Sequence, residues 1–488
     1  MFSWFAPKCP LPLDEKTWIE YRFRRLVDLL GPDRLQSVEV LDPSVTHIPG
    51  FPKGAPDVDQ VLEWLCARLK IPPGLTAKVV PDSVLPSAAG LYIQESRAIQ
   101  LQASLLETPD RVLGTLIHEV LHDLLLQGGI LTGHEGDHER MTDLAAVVVG
   151  LGIPLANQTI RDETIRQGNW VSWRVERVGY LTAQEFGYAH AVFCHVRGET
   201  LPAWSRSLRQ DASETLQRGL KFLAKTGDLV VPVGPKAGCS RPSAASLGDD
   251  LRNGTPTRQL AALWEIADAD HDSEELRRAA LALLDSPEER IRCEVVALLS
   301  PSLERTEVPR VVESVLDESP LVQMQTLASL IETEACEEEI EVELTKRLPD
   351  LYGLVRGVSA GVRSSLVTCL ARYCFEDERS RSLIEDAVQH ADPSTADAAI
   401  AACVDLGLQP ALLLERLQQR IREECYEAND DGLKPLLYAL SRLTPNPKRE
   451  LDQIFSSPED LCYLDIARQN LPQGDVIGSV PGSEVEHG

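Results

Sequence analysis

His118 and His122 stand four residues apart in the run IHEVLHD, with Glu119 directly after the first. On a helix, that spacing sends both imidazoles out of one face, about one turn from each other. Two ring nitrogens so placed can reach a single zinc ion at about 2.0–2.1 Å. Glu119, beside the first histidine, could accept a proton from a metal-bound water without itself binding the metal. The chemistry indicated is metal-assisted hydrolysis. The bland alternative is a buried helix carrying two hydrogen-bonded histidines and a paired glutamate.

A zinc site of this kind needs a third protein ligand and a fourth position left open. Farther along, in DHERMTDLAAVVVGLG, Glu139 and Asp143 are again four apart, at the start of a second apolar helix. The intervening QGGILTGHEGD is long enough for that helix to fold back on the first. Leu125 and Gly128 occupy the positions where a metzincin would need a glycine and a third histidine, which excludes that class. The order H-E-x-x-H followed by E-x-x-x-D resembles the gluzincin metallopeptidases, of which thermolysin is the familiar member. The resemblance implies an α+β zincin-like fold with a small sheet, Zn2+ as cofactor, Glu139 as third ligand and Asp143 as the acceptor that orients His118. The gap from His122 to Glu139 is shorter than thermolysin's and closer to the compact forms of the class. His134, Glu135, Asp137 and His138 lie in or beside the same loop and are rival third ligands.

Residues 1–230 as a whole also resemble an uncharacterised group of bacterial H-E-x-x-H proteins, through WF…CPL, AGLY, HExxH, DHE…TDL…GLG and GYL…EFGYA in that order. Gluzincins place an edge strand beside the cleft, and AIQLQAS, just ahead of the motif helix, takes that position here. An extended peptide could pair with such an edge. The family also supplies a Tyr or His from a later helix to stabilise the oxyanion. The helix EFGYAHAVFCHV offers Tyr188, His190 and His195, and we expect Tyr188 first and His190 second in that role.

The elements that must hold these groups are readable from patterning. LDEKTWIEYRFRRLVDLLGP is a helix ended by Gly31-Pro32, and DVDQVLEWLCARLKI is another. LTAKVVP reads as a short strand and GLYIQESRAIQLQAS as a hairpin, with Ile99, Leu101 and Ala103 alternating. The motif helix starts at Thr108-Pro109-Asp110, with Thr108 as N-cap, and stops at Gly128-Gly129. Thr182 and Glu185 form a capping box for residues 181–198, and ASETLQRGLKFLAKTGD closes the first domain.

Residues 231–254 lose all periodicity to Gly, Pro and Ser and read as a linker. From 255 to 472 helix follows helix, with Pro256, Pro287, Pro320 and Pro393 at similar joints and RGVSAGVRSSLVTCLARYC filling the wide gap. Helix pairs at this period stack into an all-α solenoid, and the pattern resembles HEAT-type repeats. Residues 473–488 carry no periodicity and read as a disordered tail.

A formal charge of −27 over 488 residues disfavours a nucleic-acid or anionic-membrane footprint, and no run of about 18 apolar residues suggests a transmembrane helix. Eleven scattered cysteines with no C-x-x-C, and no signal-peptide pattern, point to reduced thiols in the cytoplasm. The expectation is a cytoplasmic zinc metallopeptidase acting on a protein or peptide, whose solenoid recruits substrate or a protein partner. The competing expectation is a non-catalytic interaction scaffold with a structural or vestigial zinc site. The intact Glu119 weighs against it, because a structural site has no use for that base.

Overall fold

The computed structural model describes residues 7–51, 56–86, 88–132, 136–167, 170–177, 179–232, 241–269, 273–354, 357–390, 392–410, 412–427 and 429–472. It is mostly helical and divides into two compact units, Met1–Asp272 and Ser273–Gly488.

The first unit is built on α1 (Leu13–Leu30), α2 (Pro32–Ser37) and α3 (Val58–Leu69). Ile19, Phe23 and Leu26 of α1 are fully buried, in line with its helical apolar spacing. Asp57 caps α3 by accepting from the Gln60 N–H. Then come β1 (Thr76–Val80), β2 (Gly90–Ile93) and β3 (Ala98–Gln102) in one small sheet of order β1-β3-β2. β1 runs parallel to β3, with Thr76 opposite Ala98, and β2 antiparallel, with Gly90 opposite Leu101. Ile99 and Leu101 point into the core, as their alternation implies. β3 is therefore the central strand. The edge beside the motif helix is β2, which corrects the expectation that AIQLQAS forms it, because β1 pairs with the other side of β3.

The motif helix α4 (Pro109–His122) packs against β2 and α3 and continues through a wider π-type turn at Asp123–Gln127. Thr108 precedes it, but its hydroxyl makes no capping bond. α5 (His138–Val148) lies against α4, and α6 (Gly152–Ala156) follows. A hairpin of β4 (Ile160–Gln167) and β5 (Trp170–Arg177), absent from the sequence reading, leads into α7 (Ala183–Val196). The Thr182–Glu185 capping box at the start of α7 is fully formed, and Gly198 beyond its end has φ +70°.

α8 (Gln210–Thr226) packs along α7. α9 (Ala244–Asn253) falls inside the interval that reads as a linker, and α10 (Pro256–Asp268) packs on α1. Both helices thus belong to the first unit, which runs past residue 230. The polar tie is extensive: Lys16 Nζ donates to Thr257 Oγ1 at 2.9 Å and the Tyr21 hydroxyl to Asp268 at 2.9 Å.

The second unit contains α11 (Glu274–Leu281), α12 (Glu289–Leu299), α13 (Val308–Glu313), α14 (Pro320–Glu332), α15 (Glu337–Leu354) and α16 (Ala360–Tyr373). It continues with α17 (Glu378–Ala387), α18 (Pro393–Asp405), α19 (Leu413–Tyr426), α20 (Asp430–Leu443), α21 (Pro447–Ile454) and α22 (Leu461–Asn470). Alternate helices stack, α12 on α14, α14 on α16, α16 on α18 and α18 on α20. Pro320 and Pro393 open α14 and α18 at the first helical position, behind Ser319 and Asp392 caps. Residues 473–488 lie outside the described residues. Among the described residues no helix is long and apolar enough to cross a membrane.

Candidate metal centre

Of the residues in α4, Val112, Leu113, Leu116, Ile117, Val120 and Leu121 are buried in the core, so the helix cannot rotate without exposing them. That fixes the direction of His118 and His122. α5 is fixed in the same way by Met141, Leu144 and Ala145, each fully buried, and it aims Glu139 at the two imidazoles.

The three donor atoms form a nearly equilateral triangle. His118 Nε2 lies 3.0 Å from Glu139 Oε2, His122 Nε2 lies 3.2 Å from the same oxygen, and the two Nε2 atoms are 3.1 Å apart. Ligands at 2.0–2.1 Å from one tetrahedral ion sit about 3.3 Å from each other, so this donor set fits zinc in spacing as well as in chemical type. Among the described residues it is the one such group of three.

Asp143 accepts from His118 Nδ1 at 2.9 Å, which keeps a proton on Nδ1 and aims Nε2 toward the cluster. Its other oxygen accepts from the backbone N–H groups of Tyr180 (2.9 Å) and Leu181 (3.1 Å). His122 Nδ1 has Thr142 Oγ1 at 3.5 Å, a long contact. Each histidine also carries a tyrosine ring: Tyr180 stacks on His118 at 5.7 Å and Tyr92 on His122 at 6.4 Å.

The electrostatics are those of a site built for a cation. Burial opposes a charge on His118, but its bonds to Asp143 and Glu139 outweigh that and lift it to about 10. Burial also pushes the Glu139 carboxyl upward, yet the two histidines hold it well below the usual carboxylate range. Glu119 is displaced upward by burial, partly offset by His118 and His122. The backbone N–H of Tyr92 on the β2 edge adds a smaller downward pull. β2 can come this close because residue 90 is glycine: a Cβ there would lie 2.5 Å from Thr115 Cγ2 and 2.8 Å from Glu119 Oε1.

A cleft of about 520 Å³ opens onto this cluster, lined by Gly90, Thr115, His118, Glu119 and Tyr180 among others. The structure brings Glu139 to both imidazoles and Asp143 to His118. Asp137 is instead held by Trp18 and Arg22 at 2.9 and 2.8 Å, and His138 meets Glu139 through the carboxylate's other oxygen at 3.4 Å. His134 and Glu135 lie outside the described residues.

Tyr188 and His190 are not brought to the cluster. The Tyr188 hydroxyl donates to Glu20 at 2.6 Å in the core beneath α1, and His190 Nδ1 donates to the Phe186 carbonyl at 2.7 Å. α7 is buried on almost every side, so its pattern offers no cue to which face meets a cleft. His195 lies toward the C-terminal end of the same helix and is absent from the cleft lining. Tyr180, which does line the cleft, is not among the oxyanion candidates expected from sequence. It precedes α7 outside any helix, where no periodicity marks it; the run GYL quoted above was the available signal. Compared with protein-family models, curated proteins and solved structures, the chain has no match.

Proposed function

We propose that the first unit is a zinc-dependent peptidase. The observation that carries this reading is the convergence of His118, His122 and Glu139 to a triangle of about 3 Å edges, with Glu119 buried alongside and a cleft open to both. His118, His122 and Glu139 would hold the metal. When bound there, zinc supplies Lewis acidity that lowers the pKa of water and polarises a carbonyl.

The chain's own groups do the rest. Glu119 takes the proton of the attacking water on its carboxylate and returns it to the leaving amine. Gly90 lets β2 lie against that carboxylate, and Asp143 fixes the tautomer of His118. Tyr180 replaces Tyr188 and His190 as donor toward the developing oxyanion, since it stacks on His118 and lines the cleft. Burial and the carboxylates of Glu139, Asp143 and Glu119 push its hydroxyl upward, which keeps it protonated. The free side of β2 offers backbone groups to an extended peptide. Stacked helices of the second unit, a HEAT-like array in this reading, recruit the protein substrate or a partner.

The test is substitution of Glu119 by Gln in the whole chain. Zinc should stay bound while cleavage of a denatured-protein or peptide mixture stops. Undiminished cleavage would remove the assigned base, and zinc bound without any cleavage by the unsubstituted chain would favour the scaffold.

A further inference from the structure

His118 has a carboxylate behind its ring. Among the described residues His122 has none: its Nδ1 finds only Thr142 Oγ1, at 3.5 Å. What faces the His122 ring is Tyr92, parallel to it within 7° at a centroid distance of 6.4 Å. The Tyr92 hydroxyl donates in turn to Asp123 Oδ1 at 2.9 Å. Arg97 takes the same carboxylate in a fork, Nε to Oδ1 at 2.9 Å and Nη2 to Oδ2 at 2.8 Å. Its Nη1 and Nη2 also reach the carbonyls of Pro73 and Pro72, at 3.0 and 3.1 Å.

Strand and helix periodicities match at this point. Gly90 and Tyr92 are two apart and share one face of β2, while Glu119 and Asp123 are four apart and share one face of α4 and its π-type continuation. Gly90 lies against Glu119 and Tyr92 against Asp123, which holds the strand in register along the helix. The π-type turn is fastened at both ends, at Asp123 by Arg97 and at Gln127, whose Nε2 donates to the Gln94 carbonyl at 3.0 Å.

Three features of this corner work against stability. Asp123 is 1% exposed, and a buried ion pair can often be replaced by apolar groups without loss. The π-type turn breaks the regular ladder of α4 directly after His122. Arg97 has φ +47°, a left-handed conformation that a residue with a side chain keeps only when its surroundings impose it. An apolar hairpin contact would hold β2 on α4 without any of them. All three meet at the residue after His122, behind the one tyrosine that faces its ring.

We infer that the Arg97–Asp123–Tyr92 clasp is a positioning set for His122, fixing the plane of its imidazole as Asp143 fixes that of His118. This rests on the metal reading of the centre. Arg97 holds the Asp123 carboxylate, Asp123 holds the Tyr92 hydroxyl, and the Tyr92 ring limits the swing of the imidazole about its Cβ–Cγ bond. None of the three is itself a ligand.

The experiment measures, on the full-length chain, zinc affinity by chelator competition, the visible spectrum after cobalt(II) loading, and the melting temperature without metal. Tyr92→Leu, which loses ring and hydroxyl, should weaken zinc binding about tenfold to a hundredfold and alter the cobalt spectrum. Tyr92→Phe loses one oxygen and keeps the ring. It should weaken zinc binding about fivefold, the worth of one hydrogen bond, and it still decides the matter if larger changes prevent folding. Arg97→Ala should resemble Tyr92→Leu, and Arg97→Lys should recover part of the loss. Variants that melt lower yet keep wild-type zinc affinity and cobalt spectrum give the clasp a role in the fold alone and overturn the inference, with the metal centre intact. Unsubstituted chain that takes up no zinc overturns both.

Discussion

At the residue scale, the site depends on pairs of side chains that fix one another. His118 is useful as a ligand because Asp143 holds the proton on its far nitrogen. Asp143→Asn should retain the fold and weaken zinc affinity by about tenfold to a hundredfold, measured by competition with a chelator. In the metal-free chain His118 is charged at neutral pH, since its value is lifted to about 10, so zinc must displace a proton. Zinc affinity should therefore rise with pH up to about 10, and calorimetry in buffers of different ionisation enthalpy should show proton release. An affinity flat between pH 6 and 9 would contradict the Asp143–His118–Glu139 arrangement.

His190 makes a second pH prediction, far from the cluster. Burial lowers it to about 4, against a model-peptide value near 6.5. Between pH 6.5 and 4 the unfolded chain binds this proton and the native chain does not, so stability falls as pH falls through that window. The loss approaches about 3 kcal/mol at its foot. Urea unfolding of His190→Gln should show a shallower pH dependence over the same interval.

At the element scale, much was legible because the signals are local. The Thr182–Glu185 box, the Gly31-Pro32 stop and the alternation of Ile99 and Leu101 each involve neighbours in sequence. Glu139 and Asp143 were legible for the same reason: four residues apart on one helix is a spacing that forces one face. What was not legible depends on packing between distant elements. Nothing in AIQLQAS says that β1 will cover its second side, and nothing in EFGYAHAVFCHV says that Tyr188 will turn toward Glu20 on α1. The β2–α4 approach is likewise a tertiary fact, and Gly90 is its condition. Gly90→Ala should leave zinc content unchanged yet displace Glu119 and cut turnover by about a hundredfold, as small misplacements of a catalytic group do. Unchanged turnover would show that β2 does not position Glu119.

At the scale of the whole molecule, the first unit is larger than the motif-bearing segment. α10 supplies Thr257, Glu265 and Asp268 to Lys16, Arg24 and Tyr21 of α1. Glycine, proline and serine in residues 231–254 hid this, because loop-like composition around a short helix masks its ends. A chain ended at residue 230 strands Lys16, which is 2% exposed, without its Thr257 partner. It should melt about 10 °C below a chain ended at 272, given several kcal/mol for a broken buried network. Charge is divided unequally as well: residues 273–488 hold 41 acidic and 21 basic residues, most of the net −27. Any association of the second unit with a basic partner should therefore weaken with salt.

Whether His118, His122 and Glu139 hold one metal ion is decided by metal content. Purified full-length chain, exchanged into metal-free buffer after zinc loading, should retain about one zinc per chain by elemental analysis. His122→Ala and Glu139→Ala should lose it, and Glu119→Gln should keep it. Well-folded wild-type chain that retains no zinc, or variants of His122 and Glu139 that retain as much as wild type, would contradict the account.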